Sequence, residues 1–165
     1  MIKQIQVSQV TISTTRPFDD VIHAFESQVG SLEETDWQQV VSDSSDKGAF
    51  EQRINESLGS SGFTRFLTVD HGKWMALQGH PSKFVMYTIG NPFIAITMLR
   101  HDVEAGLDVP VRIAIYEHHS GDTRFTYNIP SSLLSGINNP SLHEAALKLD
   151  SKLMALAESV TGSIA

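Results

Sequence analysis

Cysteine is absent from this 165-residue chain, which excludes disulfides, thiolate zinc sites and cysteine nucleophiles. Basic residues are few: 12 Lys and Arg against 19 Asp and Glu give a formal charge of −7. They are scattered and never form a run of three. Duplex affinity comes largely from clustered Lys and Arg, so no nucleic-acid partner is expected. No apolar run approaches the ~20 residues that a membrane span needs. The opening MIKQIQVSQV alternates polar and apolar instead of presenting the apolar core of a signal peptide. No membrane partner is expected, and a cytoplasmic location is the default. HExxH, G-x-S-x-G and a glycine-rich phosphate loop are also missing, and the seven histidines follow no regular ligand spacing. Neither a metal nor a cofactor is expected.

What remains is an ordinary globular composition, 41% hydrophobic with a mean hydropathy of −0.11, and no repeat or long linker divides it. The whole chain, 1–165, reads as one domain. Ile5 and Val7 share one alternating phase and Val10 and Ile12 the other, which predicts an early strand with a bulge near Ser8-Gln9. Pro17 opens a helix carrying Phe18, Val21, Ile22, Phe25 and Val29 on one face, with Gly30 after it. Trp37, Val40 and Val41, then Phe50, Ile54 and Leu58, mark shorter helical faces on either side of a 43–48 loop.

Strands are expected at Phe63–Asp70, with strict alternation, at Trp74–Leu77 and at Phe84–Ile89. The last is apolar on both faces, so it reads as central and covered twice. Val111–Glu117 and Thr123–Asn128 flank the His118-His119-Ser120-Gly121-Asp122 turn of a β-hairpin. Asn139-Pro140 opens a closing helix whose stripe, Leu142 to Val160, stops before Gly162. The fold class is therefore α+β, a mostly antiparallel sheet with helices packed on one face and a long C-terminal helix.

The stretch YTIGNPFIAITMLRHDVEAGLDVP, residues 87–110, is where chemistry concentrates. Asn91 and Pro92 suit an N-cap and first helical position; the free N–H groups there also suit a ligand carboxylate. Phe93 and Met98 lie on a segment apolar all round, which something must cover. Arg100-His101-Asp102 reads either as an anion clamp with an acid/base partner or as a cationic end to the helix dipole. Asp70-His71 ends a strand and reads either as a carboxylate tuning an imidazole for proton transfer or as the start of a turn. Glu117, Tyr127 and Asn128 sit on the hairpin arms, where Tyr127 either serves a site or is a buried phenol.

Gly62-Phe63, Asp70-His71, Gly90-Asn91-Pro92, Ala105-Gly106-Leu107-Asp108-Val109-Pro110 with Val111, and Tyr127-Asn128 followed by Pro130 resemble, in order and spacing, the domain of unknown function 302 family. The resemblance covers about residues 60–135. It implies an α+β fold of the TATA-binding-protein-like class and carries over no catalytic residues. The chain departs from the family pattern at Phe93, at Ala95–Leu99 and at Ile129, each time toward apolar residues.

The functional expectation is a soluble domain holding a small apolar or carboxylate-bearing molecule in an apolar pocket. Asp70, His71, His101 and Tyr127 are its candidate acid/base groups for an isomerase, lyase or hydrolase step. Asn91, Phe93, Met98, Arg100, Glu117 and Asn128 are its candidate ligand contacts. The alternative is a non-catalytic binding module, or a homodimer sealed by Phe93, Ile94, Ile96 and Met98.

Overall fold

Side-chain alternation builds the sheet. In Val111–Glu117, residues Val111, Ile113 and Ile115 are buried while Arg112 is exposed; Thr123–Asn128 repeats the pattern with Phe125 and Tyr127. A computed structural model describes residues 1–163, and six strands are found there: Gln9–Thr14 (β1), Gly30–Ser31 (β2), Thr64–Asp70 (β3), Phe84–Gly90 (β4), Val111–Glu117 (β5) and Thr123–Asn128 (β6). They form one sheet in the order β1-β6-β5-β4-β3-β2. Every pairing is antiparallel except the two-residue β2, which runs parallel to β3.

The helices are Phe18–Gln28 (α1), Trp37–Ser42 (α2), Lys47–Ser57 (α3), His71–Leu77 (α4), Pro92–Leu99 (α5), Pro130–Leu133 (α6) and Pro140–Thr161 (α7). Short 3-10 turns cover Val103–Leu107 and Leu134–Gly136. Phe18, Val21 and Phe25 of α1 and the Leu142-to-Val160 stripe of α7 bury Val85, Tyr87, Ile89, Ile113, Ile115, Phe125 and Tyr127. This is the expected α+β architecture, with its principal helices on one face. Asn139 caps α7 by accepting from the Leu142 N–H at 3.1 Å, and Gly162 at φ +71° ends it.

Four details differ from the sequence reading. Trp74–Leu77 is helical: the Asp70 carboxylate accepts from the Lys73 N–H at 2.9 Å and starts α4 one residue after β3 ends. The first strand begins only at Gln9; Ile5 and Val7 lie outside the ladder, and Lys3 ties this leading segment to Glu104 at 2.7 Å. A bulge between Arg65 and Leu67 breaks the alternation of β3. Arg65 therefore faces α1, while Leu67 turns to the open side of the sheet. Finally, β4 is central but covered once. Val85, Tyr87 and Ile89 are buried, whereas Phe84, Met86 and Thr88 on the other face are only half-buried.

The β5–β6 turn is held by its own polar groups. Gly121 takes φ +88°, and Asp122 accepts from the Ser120 hydroxyl and from Arg124 Nε at 2.8 Å. The Ser120 bond, then the Arg124 bond, holds the Asp122 carboxyl well below the usual carboxylate range. A depressed folded-state pKa contributes stability above the unfolded value of about 3.9 and loses it as pH falls further. Asp122→Asn should therefore lower the urea midpoint at pH 7, with the gap to the parent narrowing at pH 3. A gap that stays constant between the two pH values would remove the carboxylate's charge from the explanation.

Candidate functional site

Between β2 and β3 the chain makes an excursion that leaves and returns at nearly one point. The N–H groups of Gly30 and Gly59 both donate to the Phe63 carbonyl, at 2.9 and 3.0 Å. Ser61 donates to the Gln28 carbonyl through its N–H at 2.9 Å and its hydroxyl at 2.7 Å. Above this clasp α2 and α3 form a cap with a small core of its own. Leu32, Val40 and Ile54 are buried there against Phe50, Leu58, Phe66 and Phe93. The carboxylates of Asp36 and Asp46 start the two helices, accepting from Gln38 at 3.0 Å and Ala49 at 2.9 Å.

Helix α5 begins where β4 ends. Asn91 Oδ1 accepts from the Phe93 N–H at 2.8 Å, and its Nδ2 donates to the Gly62 carbonyl at 2.8 Å. One side chain thus caps α5 and binds it to the strand entry beside the clasp. The cap, α5 and the 106–111 segment line a half-open cavity of about 870 Å³. Phe50, Phe66, Phe93, Ile96, Leu99 and Val109 supply much of its wall. Trp37 stands at its edge, with its ring centroid 6.1 Å from Phe50 and 5.4 Å from Phe66, both edge-on. The polar side chains on the lining are few: Asn91, and Lys47 with Glu51, whose charged groups stand 3.5 Å apart.

Of the residues singled out from sequence, Asn91, Phe93 and Met98 line this cavity. Asp70, His71, His101, Tyr127, Arg100, Glu117 and Asn128 do not. Asp70 caps α4, and His71 Nδ1 accepts from the Trp74 indole at 3.0 Å while its ring meets Phe84 edge-on at 5.0 Å. His101 follows α5 and is exposed, with its Nε2 3.4 Å from Arg100 Nε. Tyr127 is a core residue under α7, its hydroxyl against the Met154 sulfur at 3.9 Å. Burial, then Asp150, pushes its phenol up to about 12. Glu117 pairs with Lys83 at 3.6 Å, and Asn128 accepts from Gln9 at 3.1 Å.

The four candidate acid/base groups thus fall in three separate places, with only Asp70 and His71 side by side. Asp70 pairs with Val85 near the start of β4, whereas His101 follows a helix that leaves the far end of that strand. Seven residues of β4 span ~20 Å, so His71 and His101 serve separate ends of the sheet. Among the described residues no group of three His, Asp or Glu is placed to hold a metal ion, and no helix is long and apolar enough to cross a membrane. The cavity's other aromatic walls, Trp37, Phe50, Phe63 and Phe66, were not among the predicted site residues. Their signal was the glycine pair Gly30 and Gly59 bracketing the excursion.

A single antiparallel-rich sheet with its main helices on one face, and an apolar cavity beneath a two-helix cap, defines an α+β protein with a small-molecule-sized hollow. The chain belongs to the family described as "Domain of unknown function DUF302", which matches residues 38–160, well beyond the motif-bearing 60–135. Its fold is similar to the crystal structure of the uncharacterized conserved protein DUF302 from Bacillus stearothermophilus. That likeness has a TM-score of 0.66 at 17% identity and covers 92% of this chain and 97% of that one. No curated protein matches the chain.

Proposed function

We propose that this protein is a non-catalytic binding module that holds a small apolar molecule between its α2–α3 cap and α5. The observation that carries the reading is the cavity itself. At about 870 Å³ it is in the size range of small-molecule pockets, and its walls are overwhelmingly aromatic and aliphatic. Binding is favoured over acid/base catalysis because Asp70, His71, His101 and Tyr127 all lie off the lining. A net charge of −7 suits a freely dissolved protein, and the same reading has it working in the cytoplasm.

A neutral polarity-sensitive dye tests the proposal. It should bind saturably with one-to-one stoichiometry and change Trp37 emission in a variant that keeps only that tryptophan. Ala95 is half-buried on the lining, so Ala95→Phe should fill the space and weaken dye binding at least about tenfold, with far-UV circular dichroism unchanged. Dye binding that never saturates, or that the filled variant retains, would remove the pocket from the account.

Exposed Ile96, beside Phe93 on α5, supports a second reading in which this face meets another copy of the chain. Met98 is fully buried within the protomer and drops out of such an interface. Light scattering separates the two: a clean monomer at high concentration leaves the pocket reading alone.

A further inference from the structure

Resting on that pocket reading, we infer that the occupant is an uncharged molecule of the lipid class, a hydrocarbon body with at most an ester, alcohol or carbonyl head. The electrostatics of the lining select it. Among the described residues, Lys47 and Glu51 are the only charged side chains on the cavity wall, and they stand 3.5 Å apart on one turn of α3. Both side chains reach solvent, so the pair lies at the open rim, where the two opposite charges offset one another for any incoming ion. Asp46 precedes them at the helix start, its carboxylate already accepting from the Ala49 N–H. An incoming carboxylate would meet charges of both signs at this rim and gain little net attraction from them.

Elsewhere on the lining, Asn91 spends its carbonyl oxygen on the Phe93 N–H and its amide on the Gly62 carbonyl. No other charged side chain of the described residues is on the lining. A charge carried inside would lose its water and find no partner, which is strongly unfavourable. The hydrocarbon body has the opposite balance. Phe50, Phe66 and Phe93 offer it apolar surface, and burial of such surface is favourable in proportion to its area. The carboxylate-bearing ligand expected from the sequence is thereby set aside in favour of its neutral counterpart.

A matched series decides the matter: dodecanol, methyl dodecanoate, dodecanoate and dodecylammonium. Each is titrated at pH 8 below its aggregation concentration, by displacement of the neutral dye and by shift of the thermal midpoint. The alcohol and ester should bind, and both ions should bind at least about tenfold more weakly. Glu51→Gln, which frees Lys47, should then raise dodecanoate affinity relative to the ester. Either ion binding as tightly as the ester would overturn the inference while leaving the pocket intact. If no member of the series binds although the dye does, the lipid class is wrong. If the dye also fails, the binding reading itself has failed.

Discussion

Replacing Gly30 by alanine should cost at least about 3 kcal/mol of folding free energy. A Cβ at this position would fall inside the van der Waals limit of the Ser57 carbonyl oxygen and 2.8 Å from the Gly59 nitrogen. Both neighbours are backbone, so no side chain can swing aside. Gly59 has the reciprocal constraint against the Gln28 carbonyl. The only relief is to part the two chains, which breaks the shared bonds to the Phe63 carbonyl. Because those bonds close the base of the α2–α3 cap, dye binding should fall along with stability. Gly48→Ala is the control: it lies within α3, and its Cβ would meet only the Asp46 carboxylate at 3.3 Å. Alanine's helix propensity should make that change neutral or stabilising by up to about 1 kcal/mol. Urea denaturation followed by circular dichroism reads both. A Gly30→Ala protein within about 0.5 kcal/mol of the parent would mean the clasp is looser than its backbone contacts imply.

The clasp also explains what could be read from the sequence. Elements that carry their own start, stripe and stop were legible: α7 has Asn139-Pro140, a leucine stripe and Gly162, and α1 has its acidic first turn and apolar face. The β5–β6 hairpin was equally plain, because alternation and turn chemistry agree there. Asn91 was legible as a cap, and its bond to the Phe93 N–H fulfils that role.

Helix α4 was misread because Trp74, Met75 and Leu77 look like strand residues in isolation. The informative residue was Asp70, an N-cap three positions before its Lys73 partner. The site was only half legible for a different reason. Phe93 and Met98 announce an apolar segment, but nothing local in Trp37 or Phe50 says that they face it. That juxtaposition is made by the clasp from Gln28 to Phe63, across more than thirty residues. The polar groups failed in the opposite sense. Asp70, His101 and Tyr127 each had a sufficient local role, as cap, helix end and core phenol, and no long-range contact draws them together.

Phe25→Ala should be comparably severe, at about 3–5 kcal/mol, and its effect should be visible in a second residue. Phe25 is fully buried, with its ring centroid 4.5 Å from Tyr87 and 6.1 Å from Phe125. Tyr87 is fully buried too, and its hydroxyl donates to Glu26 Oε1 at 2.9 Å, an oxygen that Arg65 Nη1 also reaches at 3.0 Å. Burial, reinforced by the Glu26 carboxylate, raises the Tyr87 phenol above its ordinary value of about 10. The folded state thus keeps a proton that the unfolded chain releases. This contribution is whole below about pH 10 and is lost as pH rises beyond it. Deleting the Phe25 ring lets water reach Tyr87, so its ionisation should move back toward the ordinary value. The titration is read as tyrosinate absorbance, with Tyr87→Phe identifying the band. If Phe25→Ala loses the expected stability but the band does not move, the ring supports the core without shielding Tyr87. The proton would then be held chiefly by Glu26, and Glu26→Gln should move the band where Phe25→Ala did not.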